Sequence, residues 1–570
     1  MSVLKGIFVY TLIFLGLVLG VGVILIGVMY FFPQVSVFGY QFYHGNNSGK
    51  IYEVLPDDSE YNEGQVLARN QEILNNLDAI EIKANKWNIN VVYNESSLTN
   101  RFRVEFTRSI TGFVSTKTPK PQFSVTASQK TLVGQSEVKN VVTFKVEEPK
   151  GAYFNRSATL TVWIPSNIAN GNLDDLRIES GSGSVNFAQK SLGELIPVGN
   201  PILNVKELYL VDESNEMNVA HTNILNTLNI QSKESKFTID RDLICDVNLD
   251  VKKGKYQFKN IVADSITPEI IVDAVNADVI FGNVEGNLIL KTDFGFFRAD
   301  TVNGSFSSLS HNISDYNNAC DIKIKKILGT TIIQNDSGKI ELGQVGEIES
   351  TTSITDLKID TKSGDVTINN CFAKIAEITS KSGVIRLNNC LSNINATTTY
   401  GSVYVHYMKE DAVIDGVEST TIQNAVSNLK NVTTKIITGN GKGNGAIEVY
   451  DSMGTLDLNS KGSGKVVAHM KNVIGANNIS SKGNVSIVVP EDSKFWATWQ
   501  ANKSADIHVV TFESKEKKIN STMTNYDATK FDNQGGVFLG GNRDGSNTIT
   551  MAIKAGNNLK FLSTYHYEIA

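Results

Sequence analysis

The chain has 570 residues, of which 20% are charged, and its 53 basic and 59 acidic residues give a formal net charge of −6. This balance offers no bulk attraction for nucleic acid, whose binding normally shows as a basic face, so we expect no nucleic-acid partner. Ten prolines exclude a proline-rich stalk, and 45 glycines without a triplet period exclude a collagen. What is left is an ordered protein of several domains, or one long repetitive body.

The first predicted element is an apolar N-terminal helix. Residues 6–32 contain no charged residue, and about 20 apolar residues are enough to span a bilayer. This run is longer than the apolar part of a cleaved signal peptide, so an uncleaved anchor is favoured. Lys5 precedes the run and the next basic residue is Lys50, which places the N-terminus inside the cell. We predict a single-pass cell-membrane protein: residues 1–33 are a short cytoplasmic tail and transmembrane anchor, and the C-terminal domain is extracellular.

One spacing within this run bears on self-association. Gly16 and Gly20 form a G-x-x-x-G pair, which lets two membrane helices approach closely. Glycine is common in membrane helices in any case, so weak homo-oligomerisation stays an open expectation. Residues 34–71 follow the anchor as a predicted membrane-proximal linker.

A short repeated phrase marks the rest of the chain. A glycine is followed at positions +2 and +4 by apolar residues and at +3 by a mostly polar one, as in SGDVTI, SGVIRL and NGAIEV. This alternation has the period of two expected for a half-buried strand. Several copies follow one another at intervals of 18 or 19 residues. The repeat glycines are Gly183, Gly338, Gly364, Gly383, Gly401, Gly445, Gly464 and Gly483.

A repeat of near-constant length favours stacked rungs, because each rung can bury its apolar face against the next. The glycine between two strands suits a bend that needs either a positive φ or a close approach of backbones. We therefore predict an all-β fold, a single-stranded β-solenoid or β-helix-like repeat domain behind one N-terminal transmembrane helix. A sandwich of antiparallel hairpins is the competing interpretation.

The repeats divide the outer part of the chain into four predicted segments. These are the N-terminal strands with the first SG phrase (72–187), an irregular or inserted β region (188–335), the solenoid repeats of about 19 residues (336–492) and a C-terminal cap (493–570). A cap is expected because an open last rung exposes a strand edge to aggregation.

The SG phrases, with the lead-in TLTVWIPSNIANGNLDDLRIESGSGSVNF at residues 159–187, resemble the adhesin family of bacterial β-strand-repeat (Gly-repeat), membrane-anchored proteins. The resemblance covers roughly residues 75–510. It implies attachment at cell surfaces, and it brings no catalytic residue to transfer to this chain.

Cysteine and histidine patterns predict neither a metal site nor a cofactor. The four cysteines include no C-x-x-C pair, so a zinc ribbon is not supported. Cys371 and Cys390 each follow a repeat glycine by seven residues, and stacking would bring their Cα atoms to about 5 Å, within reach of a disulfide. Reduced, stacked thiols are favoured, and a disulfide stays open. His406 and His469 share one offset, three rungs or so apart, and are interpreted as solvated surface residues.

Acid–base catalysis needs a pair of suitably placed groups, and the repeats do not supply a carboxylate pair. The outward position between the two apolar residues carries, in order, Glu341, Thr367, Arg386, Tyr404, Glu448, Val467 and Ser486. Asp174 and Asp175 would point to opposite faces of a strand. We therefore predict no enzymatic activity and no catalytic residue.

The sequence thus favours an adhesin or surface-binding protein whose partner is a surface glycan, a wall polymer or a protein. Two alternatives stay open. One is a structural cell-envelope protein that binds wall polymer or its own copies, and the other is a glycan-processing enzyme built on a β-helix.

Overall fold

The computed structural model describes residues 2–33, 35–48, 52–54, 76–93, 102–115, 121–147, 151–165, 168, 173–187, 203–264, 267–310, 318–348, 355–441, 443–490, 493, 495–501, 507–509, 536–539 and 549–563. The chain divides into two compact units. The first comprises Met1–Cys245 and Asp250–Gln257, and the second comprises Asp246–Leu249 and Phe258–Ala570.

The predicted N-terminal helix is present as α1 (Ser2–Phe31). Large apolar side chains on its described part are mostly exposed, with Leu17 at 63%, Val23 at 68% and Phe31 at 76%. Among the described residues, no helix is both long enough and apolar enough to span a bilayer. The transmembrane assignment of residues 6–32 therefore stays a prediction from the sequence.

The first unit is built almost entirely of strands. They are β1 (Ser36–Val37), β2 (Tyr40–Ser48), β3 (Tyr52–Val54), β4 (Ala79–Ala84), β5 (Asn88–Val92), β6 (Phe102–Ser115), β7 (Gln122–Thr131), β8 (Val138–Glu147), β9 (Gly151–Trp163), β10 (Leu173–Gly181), β11 (Val185–Phe187), β12 (Leu203–Val219) and β13 (Thr222–Ile239). The residues of β14 (Asp246–Gln257) are divided between the two units.

Parallel pairing orders these strands as β8–β4–β10–β12–β13 and as β9–β5–β11–β12–β13. The strands β6 and β7 pair antiparallel with β9 and β8. They cover strand edges that would otherwise be open to pairing with another chain.

Two predicted segment assignments need correction. The segment 34–71 is not only a linker, because β2 pairs along its whole length with β6 and β3 pairs with the same strand; residues 34, 49–51 and 55–71 lie outside the described residues. The segment 188–335 is not irregular where it is described, since it contains the long strands β12 and β13, which pair in parallel. Polar residues interrupt the phrase there, but the parallel pairing of β12 with β13 continues past a single register shift between Val205 and Glu207.

The strands of the second unit are β15 (Glu269–Ile280), β16 (Asn283–Val284), β17 (Asn287–Val302), β18 (Phe306–Leu309), β19 (Ala319–Ile327), β20 (Thr331–Asn335), β21 (Ile340–Val345), β22 (Asp356–Thr361), β23 (Val366–Cys371), β24 (Ile375–Ser380), β25 (Ile385–Cys390), β26 (Asn393–Thr398), β27 (Val403–Tyr407), β28 (Thr433–Thr438), β29 (Ile447–Ser452), β30 (Thr455–Ser460), β31 (Val466–Met470), β32 (Ala476–Ser481), β33 (Val485–Val489), β34 (Phe495–Ala501), β35 (Ile507–Val509), β36 (Gly536–Leu539), β37 (Thr550–Ala555) and β38 (Leu559–Ser563). The helix α2 (Ser419–Ser427) and a 3-10 turn (Asn428–Asn431) lie between β27 and β28.

Two parallel ladders run through this unit. The first ladder is β18–β20–β22–β24–β26–β28–β30–β32, and the second is β19–β21–β23–β25–β27–β29–β31–β33. A rung consists of one strand of each ladder, and successive rungs follow the chain. The predicted β-solenoid is confirmed, and the antiparallel sandwich is excluded because every pair in both ladders is parallel.

The repeat phrase explains this packing. Positions +2 and +4 after each glycine point into the core, as Ile385, Leu387, Val403 and Val405 show by being fully buried. The repeat glycines are not among those with a positive φ. A Cβ built on Gly364 would overlap the carbonyl oxygen of Gly338, so close approach of neighbouring rungs is the property that requires glycine.

Candidate binding surface

The outward +3 positions of the second ladder form one continuous column. Register places these residues opposite one another on successive strands in the order Lys323, Glu341, Thr367, Arg386, Tyr404, Glu448, Val467 and Ser486, and the column continues to Lys560 on β38. Neighbouring rungs lie about 4.8 Å apart, so side chains in such a column touch. The sequence order of this face is thus also its spatial order.

Next to this column, three rings stack along the solenoid. The imidazole of His406 lies parallel to the ring of Tyr450 at 4.6 Å between centroids, with an interplanar angle of 16°. The ring of His469 meets Tyr450 edge-on at 4.8 Å. We call Tyr404, His406, Tyr450 and His469 the aromatic stripe.

The sequence overestimated the separation of the two histidines. Between β27 and β28 the chain leaves the stack for an excursion that contains α2. The rung that contains His406 is therefore followed in the stack by the rung that contains Tyr450. The rung that contains His469 follows directly after it. The histidines lie two rungs apart rather than three, and Tyr450 fills the gap between them.

An ion pair holds the centre of the stripe. The hydroxyl of Tyr450 donates a hydrogen bond to Glu448 Oε2 at 2.7 Å, and Lys465 Nζ lies 2.7 Å from Glu448 Oε1. Partial burial of Glu448 opposes its ionisation, but the hydrogen bonds from Lys465 and Tyr450 outweigh it and lower its pKa. The hydrogen bond to Glu448 likewise raises the pKa of Lys465. Both groups are charged at neutral pH, and they fix the orientation of the Tyr450 ring.

The two histidines differ in their surroundings. His406 is exposed, as expected, whereas His469 is half-buried, so its interpretation as a solvated residue is wrong. Burial lowers the pKa of His469, although Asp451 and Glu448 partly oppose the shift. His469 therefore stays neutral at neutral pH and serves the stripe as an aromatic ring.

Cationic groups border the stripe on two sides. The guanidinium of Arg386 lies over the Tyr404 ring at 5.5 Å from its centroid, a cation–π contact. A shallow groove of about 310 Å³ adjoins the column, and its lining includes Lys465, Ser486 and Lys560. The surface therefore combines flat aromatic rings with positive charge.

The cysteine pair lies inside the solenoid, away from this surface. Cys371 and Cys390 occupy the same place on neighbouring rungs, and both are free and fully buried. The hydroxyl of Ser392 lies 3.3 Å from the Cys371 sulfur. In the part of the chain that the structure describes, no group of three or more His, Cys, Asp or Glu residues is arranged to hold a metal ion.

The first unit contains a carboxylate pair that the sequence did not reveal. Asp175 on β10 lies opposite Glu207 on β12, and the amide of Gln135 donates to both, at 2.7 and 3.2 Å. The pair was missed because Glu207 belongs to the segment interpreted as irregular. Asp175 is fully buried and forms an ion pair with Lys139, and burial raises its pKa in spite of Lys139. This closed arrangement stabilises the fold and leaves no access for a substrate at Asp175.

Comparison with known proteins places the second unit in context. Residues 307–416 match the family model described as Toastrack DUF4097. No curated protein and no solved structure matches the chain. The match covers the rungs from β18 to β27 and includes Arg386, Tyr404 and His406, while Tyr450 and His469 lie beyond it. The expected adhesin family is not supported specifically. Residues 307–416 are thus similar to the Toastrack family, and their β-solenoid fold is consistent with a surface or binding protein.

Proposed function

We propose that this chain is a membrane-anchored, non-catalytic protein of the cell surface that binds an extended polymer, a surface glycan or a wall polymer, along its solenoid. The observation that carries the proposal is the aromatic stripe. The stripe places an aromatic ring on each of three successive rungs, and the ion pair of Glu448 and Lys465 holds the central ring of Tyr450 in place. His406 is exposed and the other three rings are half-buried, and a set of rings already held in place binds with little loss of side-chain freedom.

The spacing of the stripe suits a polymer better than a small molecule. Its rings recur with the rung spacing of about 4.8 Å, a length comparable to one sugar residue of an extended chain. Each rung can therefore contact one unit of the polymer, and many weak contacts add up along the chain. Arg386 and the lysines of the groove supply hydrogen-bond donors beside the rings.

The anchor is supported by the helix α1 and by its apolar side chains. The run 6–32 is uncharged as a whole, including residues 6–10 and 12–14, whose side chains lie outside the described part. The exposed side chains of Leu17, Val23 and Phe31 form an apolar surface. Exposed apolar surfaces of this kind mark contact with a membrane or with another protein. With Lys5 before the run, the proposed orientation has the N-terminus inside and the solenoid outside.

The absence of catalysis is proposed from the described carboxylates of the second ladder. Glu341 and Glu448 occupy the same outward column, but three rungs separate the rung of Glu341 from the rung of Glu448. Each is paired with lysine, Glu341 with Lys323 at 2.9 Å and Glu448 with Lys465 at 2.7 Å. Charged carboxylates held in this way are poor proton donors for glycoside cleavage.

The test uses the full-length chain in lipid vesicles. It is titrated with a panel of glycans, wall polymers and matrix proteins, and product release is followed in the same wells. Tyr450→Ala should weaken saturable binding about tenfold, because one stacked ring contributes about 1.5 kcal/mol. Tyr400→Ala is the matched control, since Tyr400 is a half-exposed tyrosine at a turn between β26 and β27.

Each outcome has a distinct meaning. Equal loss of binding in both variants would exclude the stripe as the binding surface. Turnover of any polymer would overturn the non-catalytic assignment. No binding to any member of the panel would leave a structural role in the cell envelope, in which the chain binds its own copies, as the better account.

A further inference from the structure

The last rung of the chain is inserted out of chain order. Strand β37 pairs in parallel with β32 on one side and with β34 on the other, and β38 pairs likewise with β33 and β35. The rung formed by β37 and β38 therefore lies between the rung of β32 and β33 and the rung of β34 and β35, although these two rungs follow each other along the chain. From β18 to β33 successive rungs stack in chain order, so this insertion is particular to the end of the second unit.

The inserted rung fits like its neighbours. Ile553 and Leu559 are at most 3% exposed and occupy the core. The backbone amide of Gly556 donates to the carbonyl oxygen of Ser481 at 2.8 Å. A Cβ built on Gly556 would overlap the backbone of Lys482. This is the same close approach that the repeat glycines make within the stack.

A separate stretch of chain carries this rung. Strand β36 precedes it and pairs antiparallel with β34. In the described residues, the segment 536–563 pairs only with strands β32–β35. The 26 residues 510–535 connect it to β35, and a connection of that length spans at most about 90 Å.

We propose that the strands β36, β37 and β38 exchange between two copies of this chain, so that each copy inserts the rung of β37 and β38 between β32–β33 and β34–β35 of the other. The exchanged form keeps every strand pair of the segment, which makes exchange a low-cost route to a dimer. A copy whose segment has left exposes two parallel strand edges, and such edges pair readily with another strand. Reciprocal exchange fills both slots and closes a symmetric dimer. This inference is independent of the aromatic stripe.

The register supplies a direct test. Ser480 on β32 lies opposite Lys554 on β37, and neither residue is buried. Ser480→Cys is placed in one full-length copy and Lys554→Cys in a second copy with a different tag, and the two are co-expressed and mildly oxidised. The four natural cysteines are buried and free. We expect a disulfide-linked heterodimer, because the two new thiols meet only when the rung of one copy enters the other.

The matched control pair is Glu377→Cys and Asn395→Cys, again in separate copies. These positions are also opposite each other, on β24 and β26, and both are exposed, but their rungs lie inside the stack. Linkage in this mixture measures random collision, and the first mixture should exceed it at least tenfold. Equal yields in the two mixtures would overturn the proposal.

A chain carrying both Ser480→Cys and Lys554→Cys checks the register itself. Linkage within this chain, together with a heterodimer from the mixed copies, supports exchange. Linkage within the chain but none between copies shows that the insertion is only internal, and it overturns the proposal. Failure of this chain to form any disulfide would show that β37 does not pair with β32, and it would overturn the proposed exchange as well.

Discussion

Gly401 lies directly against Gly383 of the preceding rung: a Cβ built on Gly401 would overlap the carbonyl oxygen of Gly383. The hydroxyl of Thr398 accepts a hydrogen bond from the Gly401 amide at 2.8 Å, so the turn is also satisfied internally. The same overlap recurs at Gly445 with the oxygen of Gly401. A column of glycines therefore leaves the space that successive rungs need in order to stack at the spacing of paired strands.

Gly401→Ala should destabilise the second unit by about 3 kcal/mol, because the new methyl group forces neighbouring backbones apart. The comparison is Gly416→Ala, where φ is +74° but no atom lies within 4 Å of the added Cβ, and about 1 kcal/mol is expected. Urea unfolding midpoints of the two variants measure the difference. A smaller effect at Gly401 than at Gly416 would contradict the role of close approach.

Ile385→Asp should cost about 4 kcal/mol, because it buries an unpaired charge in the core between two rungs. Ile385 is fully buried and stacks between Val366 and Val403. The neighbouring Arg386 is exposed, so Arg386→Asp should change stability by less than about 1 kcal/mol. Thermal unfolding that does not distinguish these variants would show that the strand register is wrong.

The pH dependence of stability should include a contribution from His469. Its pKa in the folded protein is lowered, chiefly by burial, so the unfolded chain binds the proton more readily. The contribution is present above the ordinary histidine pKa of about 6.5 and is lost as the pH falls through the lower folded value. His469→Gln should therefore flatten the decline in stability below neutral pH.

The exposed His406 provides the control for this measurement. His406→Gln removes an exposed ring from the same stripe and leaves the buried His469 in place, so it isolates the effect of losing a ring from the effect of losing His469. Urea unfolding between pH 8 and pH 5 compares both variants with the parent chain. Identical slopes for His469→Gln and the parent would rule out this source of pH dependence.

Lys139→Met should destabilise the first unit by about 3–5 kcal/mol, because it leaves Asp175 buried without its cation. Asp175 is fully buried, and the side chain of Lys139 is 14% exposed. Adding Asp175→Asn should recover much of the loss, since no charge then needs a partner. Lys145→Met is the control: the ion pair of Lys145 with Glu147 is half-exposed and should contribute less than about 1 kcal/mol. An additive double variant would show that the two groups act independently.

The local pattern of the repeats was sufficient to predict the solenoid. Alternation at +2, +3 and +4 determines which face of a strand is buried, and the recurring glycines mark where each rung turns. The residues that became the outward column, from Glu341 to Ser486, were also identified in their correct order. These features depend on neighbours within a few residues, and a linear sequence carries that information directly.

Only the tertiary structure decided three other features. These are the order of rungs at both ends of the chain, the contact of Asp175 with Glu207 through Gln135, and the stacking of His406, Tyr450 and His469. Each depends on which distant strands become neighbours, and an excursion such as the one containing α2 changes that neighbourhood without changing the phrase. Backbone pairing tolerates almost any outward side chain. The local sequence therefore determines where each rung forms, whereas the stacking of rungs determines which side chains come into contact.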